Sequence, residues 1–282
     1  MINYRLCIHP IEILAKYGFL CLLVSLANIE KTIAAPDQFF ISAGEEIYYQ
    51  DTSTEQEAII LVHGFGMDSK MWIETGIAEK LSHKYRVVLI DLRGHGLSSK
   101  PKNVSSYGPK VGEDIINLLS HLEIKKAHVV GYSMGAYVAS RLLVSHPSRL
   151  LSVTLCSGSF PIKDKAELEF QESTATHMEE NGDYVLASVA RGWALDSISF
   201  NQIDKITVPM QSILGEDELA LYSKAQLAAL ELPDSATKTQ IIKGADHDSE
   251  KAAVLHPDFL KALLEFVSKH GSLKSLSRSM AQ

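Results

Sequence analysis

Short aliphatic runs alternate along the chain with longer segments in which apolar residues recur at helical spacing. The runs are bounded by turn residues, which predicts strands at 38–42, 46–50, 58–62, 86–90, 127–130, 150–155, 208–214 and 238–242. The first two are expected to form a hairpin that turns at Ala43 and Gly44. The helical spacing predicts helices at 71–82, 111–122, 134–145, 221–230 and 257–269.

The alternation of strands and helices indicates an α/β fold with a mostly parallel central sheet of about eight strands and helices on both faces. The runs at 59–62 and 87–90 are apolar at every position, as expected for strands that are covered on both faces. The alternation stops between residues 159 and 205, where the sequence is polar and offers one helix at 183–193. We expect this segment to be a short cap or lid inserted between two strands.

The first residues of the chain have the pattern of a signal peptide. Residues 17–27 are apolar and uncharged, follow Arg5 and Lys16, and end in small residues that suit cleavage. We expect 1–27 to be a leader and 28–282 to be an exported domain, periplasmic or secreted, with no stable membrane span. The alternative is a buried N-terminal helix or an extended start in a cytoplasmic protein. Residues 271–282 lack an apolar face and are expected to form a flexible tail.

Composition and charge narrow the range of partners. The chain has 282 residues, 46% hydrophobic and 22% charged, which is typical of a globular protein. It carries 27 basic and 34 acidic residues, and no basic run is long enough to follow a nucleic-acid backbone. We therefore expect no nucleic-acid partner, and the oligomeric state is left open. Of the three cysteines only Cys156 lies outside the expected leader, so an internal disulfide is not expected in the processed chain.

Residues 131–135 (GYSMG) follow a predicted strand and open a predicted helix. A serine on such a tight turn needs glycines two residues to either side, because a Cβ there would crowd the neighbouring elements. The hydroxyl of Ser133 would then stand clear of the sheet, beside the positive end of the helix dipole. Ser133 is therefore the candidate nucleophile.

With this motif, the sequence resembles the α/β-hydrolase fold family over residues 39–270. Residues 61–66 (LVHGFG) are similar to the family's HG-type oxyanion loop. The resemblance implies that the backbone N–H groups of Phe65 and Met134 form an oxyanion hole. Residues 244–247 (GADH) look like the segment that follows the family's last strand, which implies that His247 is the general base.

The acid of the implied triad is left open between two neighbouring residues. Residues 215–218 read GEDE, and the family usually places an aspartate three residues after this glycine. The count points to Glu218, which we favour, whereas the residue type points to Asp217; either carboxylate can orient a histidine. Asp246 and Asp248, which flank the histidine, are the next candidates.

A second polar cluster, residues 91–98 (DLRGHGLS), matches a turn that many members of the family carry after the fourth core strand. The resemblance implies a structural role, with Arg93 as an ion-pair partner, and makes His95 a weaker choice for the general base. The sequence contains no metal-binding motif, no Rossmann fingerprint and no P-loop lysine. No metal and no organic cofactor are expected.

These residues together predict a serine hydrolase that works through an acyl-enzyme and cleaves a small-molecule carboxylic ester. Lactonase, amidase and thioesterase activities stay open. A carbon–carbon bond hydrolase, a cofactor-free perhydrolase and a non-catalytic ligand-binding protein of the same fold are the alternatives. We expect large side chains of the cap to line an apolar acyl pocket, unless they form the cap's own core: Phe160, Phe170, Met178, Tyr184 and Trp193.

Overall fold

An eight-stranded sheet forms the centre of the fold in the computed structural model, which describes residues 36–162, 165–231 and 237–271. The strands are β1 (Asp37–Ser42), β2 (Glu45–Asp51), β3 (Ala58–Val62), β4 (Arg86–Ile90), β5 (Ala127–Tyr132), β6 (Leu150–Cys156), β7 (Met210–Gly215) and β8 (Thr237–Ile242). Their order across the sheet is β1-β2-β4-β3-β5-β6-β7-β8. The strands β3 to β8 run parallel, and β1 and β2 pair antiparallel. The predicted α/β architecture is confirmed.

Nine α-helices are present in the described ranges. They are α1 (Lys70–Glu74), α2 (Ile77–Ser82), α3 (Pro109–His121), α4 (Met134–Ser145), α5 (Lys165–Glu180), α6 (Tyr184–Trp193), α7 (Phe200–Ile203), α8 (Lys224–Ala228) and α9 (Pro257–Lys269). The same ranges contain four 3-10 turns, at Val104–Ser106, Pro147–Arg149, Leu219–Leu221 and Ala253–Leu255. Helices α5, α6 and α7 lie between β6 and β7 in the chain and form the segment called the cap below.

The central strands bury side chains on both faces of the sheet. Because successive residues of a strand point to opposite sides, Ile60 joins one apolar cluster with residues of α3 and α4. Ile59 joins a second cluster, on the other face, with Trp72 of α1 and Phe259 of α9. This double coverage is the reason that β3 and β4 are apolar at nearly every position.

Two predicted helices differ from the structure, and one helix that the structure contains was not predicted. The hairpin turn is found as expected, with positive φ at both Ala43 and Gly44. The single helix predicted at 71–82 is wrong, because Gly76 has a φ of 71° and separates α1 from α2. The helix predicted at 221–230 is shorter and begins at Lys224. Helix α5 was not predicted, and its buried residues Ala175 and Met178 pack against α6 rather than against the sheet.

Two of the expectations concern the ends of the chain. The expected leader, 1–27, lies outside the described residues, and so does the expected tail apart from its first residue. Across the parts of the chain that the structure describes, no helix combines the length and the apolar character needed to cross a bilayer.

Candidate active site

Ser133 lies on a sharp turn between β5 and α4. Its φ and ψ of 53° and −116° are unusual for a residue with a side chain, and such a conformation costs about 1–3 kcal/mol. The chain passes very close to itself at the two flanking glycines. A Cβ on Gly131 would lie 2.1 Å from the carbonyl oxygen of Gly135, and one on Gly135 would lie 2.3 Å from that of Val62. Glycine is therefore required at both positions.

The structure brings Ser133, His247 and Glu218 into one hydrogen-bonded line. The Ser133 Oγ lies 3.0 Å from His247 Nε2, and His247 Nδ1 lies 2.8 Å from Glu218 Oε2. The Glu218 side chain is completely buried, and its second oxygen accepts a 2.6 Å hydrogen bond from the Gly215 N–H. The Tyr132 hydroxyl donates to the backbone oxygen of His247, and the two rings stack at 5.9 Å. The imidazole is thus held from several sides.

The other candidate acids do not share this position. Asp217 is exposed, and its backbone N–H donates to the Ala245 oxygen at 2.9 Å. Asp246 accepts hydrogen bonds from the backbone and the hydroxyl of Ser249, within its own turn. Within the described ranges, Glu218 is the carboxylate that hydrogen-bonds to the imidazole of His247.

The two residues predicted to form an oxyanion hole lie on different elements, Phe65 in the loop after β3 and Met134 at the start of α4. His63 is fully buried, donates from Nδ1 to the Gly64 oxygen at 2.8 Å and accepts the Leu92 N–H at Nε2 at 3.0 Å. Burial lowers the pKa of His63, so the ring stays neutral in this tautomer and holds the loop. Phe65 follows Gly64 in this loop, and its backbone N–H makes no backbone hydrogen bond among the described residues. Met134 is the first residue of α4, so its N–H has no intrahelical acceptor.

Residues 91–98 stabilise the loop after β3 through hydrogen bonds. Asp91 is buried and accepts the N–H groups of Ser69 and Leu97, each at 2.8 Å. Arg93 is also buried and forms two 2.6 Å hydrogen bonds to Asp114, as expected for an ion pair. Burial, and then the neighbouring His63, lower the pKa of His95 to about 3. No hydrogen bond joins His95 to Ser133. The contacts of residues 91–98 instead hold the loop after β3 in place.

Cys156 lies directly behind the nucleophile, where its backbone oxygen accepts the Ser133 N–H at 2.9 Å. Burial, and then the nearby Glu218, raise the pKa of the Cys156 thiol, so the thiol stays protonated at neutral pH. Among the described side chains, no group of three His, Cys, Asp or Glu residues is arranged to hold a metal ion.

The cap contacts the loop after β3. The Trp193 ring packs edge-to-face against Phe65, with ring centroids 5.0 Å apart. The predicted acyl pocket is wrong in two members, because Phe170 and Tyr184 are 60% and 56% exposed. Met178 belongs to the cap's own small core, and Phe160 is buried in the main core.

A buried polar network that sequence reasoning missed joins the cap to the body. Gln226 accepts the Ser223 N–H through Oε1, as the third residue of a capping box. Its Nε2 donates to the Tyr137 hydroxyl at 3.0 Å and to Glu167 Oε2 at 3.1 Å. The Ser-x-x-Gln spacing at 223–226 was the available signal for a fixed glutamine, although the spacing alone does not reveal its partners.

Comparison with known proteins places this chain in a family. Residues 57–247 match the profile of the alpha/beta hydrolase fold. The chain is 37% identical over 101 residues to a pimeloyl-[acyl-carrier protein] methyl ester esterase of Aeromonas hydrophila, over 36% of this chain and 37% of that protein. It is 31% identical over 157 residues to 3-oxoadipate enol-lactonase 1 of Acinetobacter baylyi, over 55% of this chain and 56% of that protein. The chain thus spans from about a third to about half the length of these relatives.

A solved structure supports the fold independently. The crystal structure of a hydrolase from Pseudomonas aeruginosa superposes with a TM-score of 0.70 at 21% identity, and covers 83% of this chain and 99% of its own. The sheet order, the elbow at Ser133 and the match over residues 57–247 agree with one another. The chain belongs to the α/β-hydrolase fold family.

Proposed function

We propose that this protein is a serine hydrolase that cleaves carboxylic esters or lactones through an acyl-enzyme. The observation that carries the proposal is the line from Glu218 through His247 to Ser133, with hydrogen-bond distances of 2.8 and 3.0 Å. A hydroxyl in contact with a neutral imidazole, itself oriented by a buried carboxylate, is the arrangement that activates a serine.

The reaction follows from these contacts. The Ser133 Oγ attacks the ester carbonyl carbon while its proton moves to His247 Nε2, and Glu218 stabilises the resulting imidazolium. The N–H groups of Phe65 and Met134 donate to the oxygen that becomes negatively charged, and each such donor contributes about 3 kcal/mol in the transition state. His247 then protonates the leaving alcohol. Water attacks the acyl-enzyme with His247 as the base, which releases the acid and restores Ser133.

The relatives support the reaction class. Over the matched segments the chain resembles proteins named as a methyl ester esterase and an enol-lactonase, and both names describe cleavage of an acyl–oxygen bond. A serine at the elbow also fits this chemistry, because a hydroxyl can attack an ester carbonyl and carry the acyl group of an acyl-enzyme.

Hydrolysis of p-nitrophenyl acetate and butyrate tests the proposal. We expect the wild-type protein to turn over both esters, and Ser133→Ala to lose at least about 10³-fold in kcat/KM. Ser145→Ala, on the exposed end of the same helix, is the control and should keep the wild-type rate. Equal rates for wild type and Ser133→Ala would refute the assignment of the nucleophile.

A further inference from the structure

The Phe65 side chain joins the body of the protein to the cap. It is half-buried and packs against both the main apolar cluster and the small core of the cap. The His95 ring meets it edge-to-face from the body, at 5.9 Å between ring centroids, and the Trp193 ring does so from the cap, at 5.0 Å. The interplanar angles of 73° and 67° are those of an attractive contact between a ring edge and a ring face. The Phe65 ring is therefore held from two sides.

The backbone of the same loop packs on the elbow that carries the nucleophile. A Cβ on Gly64 would lie 3.1 Å from the Tyr132 ring, and one on Gly135 would lie 2.7 Å from the backbone oxygen of His63. The Gly64 oxygen is fixed by a hydrogen bond from His63 Nδ1. Phe65 itself makes no backbone hydrogen bond among the described residues, so the packing of its side chain is the contact that fixes residue 65.

Helix α6 presents Trp193 from a fixed position on the body. Val189 and Trp193 are four residues apart and share one face of the helix. On that face the helix lies close to the segment 91–98, since a Cβ on Gly94 would lie 2.7 Å from Val189 Cγ2. The Ser188 hydroxyl also donates to the Lys102 oxygen at 2.8 Å. A shift of α6 would therefore move the ring that contacts the loop after β3.

We propose that Trp193 is a positioning residue for the oxyanion hole, and that the cap fixes the direction of the Phe65 N–H through the contact between the two rings. The inference rests on the proposed ester hydrolysis, because it concerns a donor that this reaction would use. A misdirected donor stabilises the oxyanion less but changes the binding of the neutral ester little. Loss of the ring contact should therefore lower kcat rather than raise KM.

Steady-state hydrolysis of p-nitrophenyl butyrate measures this effect. We expect Trp193→Leu to lower kcat about tenfold and to leave KM within about twofold of wild type. Trp193→Phe keeps an aromatic ring and should retain at least about half of the wild-type kcat. Tyr184→Leu removes an exposed ring from the same helix and is the matched control, with the wild-type kcat. A wild-type kcat in Trp193→Leu, or a change confined to KM, overturns this inference and leaves the proposed function intact.

A double-mutant cycle tests whether Trp193 acts through Phe65. Phe65→Leu keeps the backbone N–H and removes the ring, so it should lower kcat about tenfold by itself. Adding Trp193→Leu should then lower kcat by less than about twofold more. Losses that multiply would overturn the inference, and so would a wild-type kcat in Phe65→Leu, whether or not Trp193→Leu folds. If the wild-type protein hydrolyses no ester, the proposed function fails and the inference fails with it.

An alkyl trifluoromethyl ketone reports on the oxyanion hole separately from turnover. The Ser133 Oγ adds to its carbonyl carbon, the hydroxyl proton moves to His247, and the carbonyl oxygen takes the negative charge. The inhibition constant should rise about tenfold in Trp193→Leu, in parallel with the loss of kcat, and should stay at the wild-type value in Tyr184→Leu. Equal inhibition of wild type and Trp193→Leu would contradict a role of Trp193 in the oxyanion hole.

Discussion

Glu218 uses its two carboxylate oxygens for different purposes. One accepts the hydrogen bond from His247 Nδ1, and the other accepts the Gly215 N–H at the end of β7. The carboxylate is therefore anchored to the sheet, and the imidazole is anchored to the carboxylate. A buried acid fixed in this way holds the histidine in the tautomer whose Nε2 can receive a proton from Ser133.

Replacing Glu218 by Gln should therefore lower the rate of ester hydrolysis far more than replacing the neighbouring Asp217 by Asn. Glu218→Gln keeps the shape but favours the wrong tautomer, and we expect kcat to fall by about 10³- to 10⁴-fold in p-nitrophenyl butyrate hydrolysis. Asp217→Asn is the matched control, because Asp217 is exposed, and it should stay within about twofold of wild type. A larger loss in Asp217→Asn than in Glu218→Gln would contradict the account.

The motif at 131–135 predicted Ser133, and the resemblance to the family implied His247, but neither decided between two adjacent carboxylates. The reason is that tertiary contacts orient this loop. The Glu216 N–H donates to Ile242 and the Asp217 N–H donates to Ala245, each at 2.9 Å, so partners at and after β8 fix the backbone around the acid. Counting residues along this one loop cannot reveal partners that lie at and after β8.

At the scale of elements, the nucleophile depends on how closely α4 packs against β3. Gly135 is the contact point, since a Cβ there would lie 2.3 Å from the Val62 oxygen, which belongs to rigid backbone. Gly112, in α3, offers a comparison, because a Cβ on it would meet only the end of the Leu142 side chain, at 3.3 Å. Both glycines are buried helical residues, so helix propensity favours alanine equally at the two positions.

Gly135→Ala is expected to destabilise the protein by at least about 2 kcal/mol, because the helix must move away from the strand. Gly112→Ala should change the free energy of unfolding by no more than about 1 kcal/mol, since the Leu142 side chain can adjust. Urea denaturation monitored by circular dichroism measures both. Equal stabilities for the two variants would show that the close approach of α4 and β3 is not a constraint.

The elements that the sequence predicted less well are those with weak apolar patterns. Helix α5 is mostly polar, and it buries Ala175 and Met178 against α6, so its spacing does not point to the sheet. The break between α1 and α2 lies at Gly76, whose left-handed conformation depends on the packing of two short helices. The central strands β3 and β4 were predictable because both of their faces are covered and require apolar residues.

At the scale of the whole molecule, two neutral buried histidines couple stability to pH. His63 and His95 lie 5.1 Å apart between ring centroids, and burial lowers the pKa of both. The folded chain keeps His95 unprotonated down to about pH 3, whereas the unfolded chain binds a proton there below about 6.5. The unfolded state therefore gains protons as the pH falls through this range, and the folded state loses stability.

We expect the free energy of unfolding to fall as the pH is lowered from about 6.5, with His95 contributing up to about 1.4 kcal/mol per pH unit. His95→Gln should take up about one proton fewer than the wild type on unfolding, so its free energy of unfolding should depend less on pH. The free energy of unfolding of the variant at pH 7 gives the packing cost of the substitution separately. Urea denaturation between pH 4 and 7 measures both quantities. Parallel pH profiles for wild type and His95→Gln would rule out the linkage.

Labelling with a fluorophosphonate probe tests the central claim most directly, because only an activated serine reacts with it. Ser133 Oγ displaces fluoride, so the native protein should gain the mass of one probe less that of HF, and Ser133→Ala should gain none although it remains folded. His247→Ala should react far more slowly, since the base that activates Ser133 is removed. If the label persists in Ser133→Ala, or the folded native protein takes none, Ser133 is not an activated nucleophile and the account is wrong.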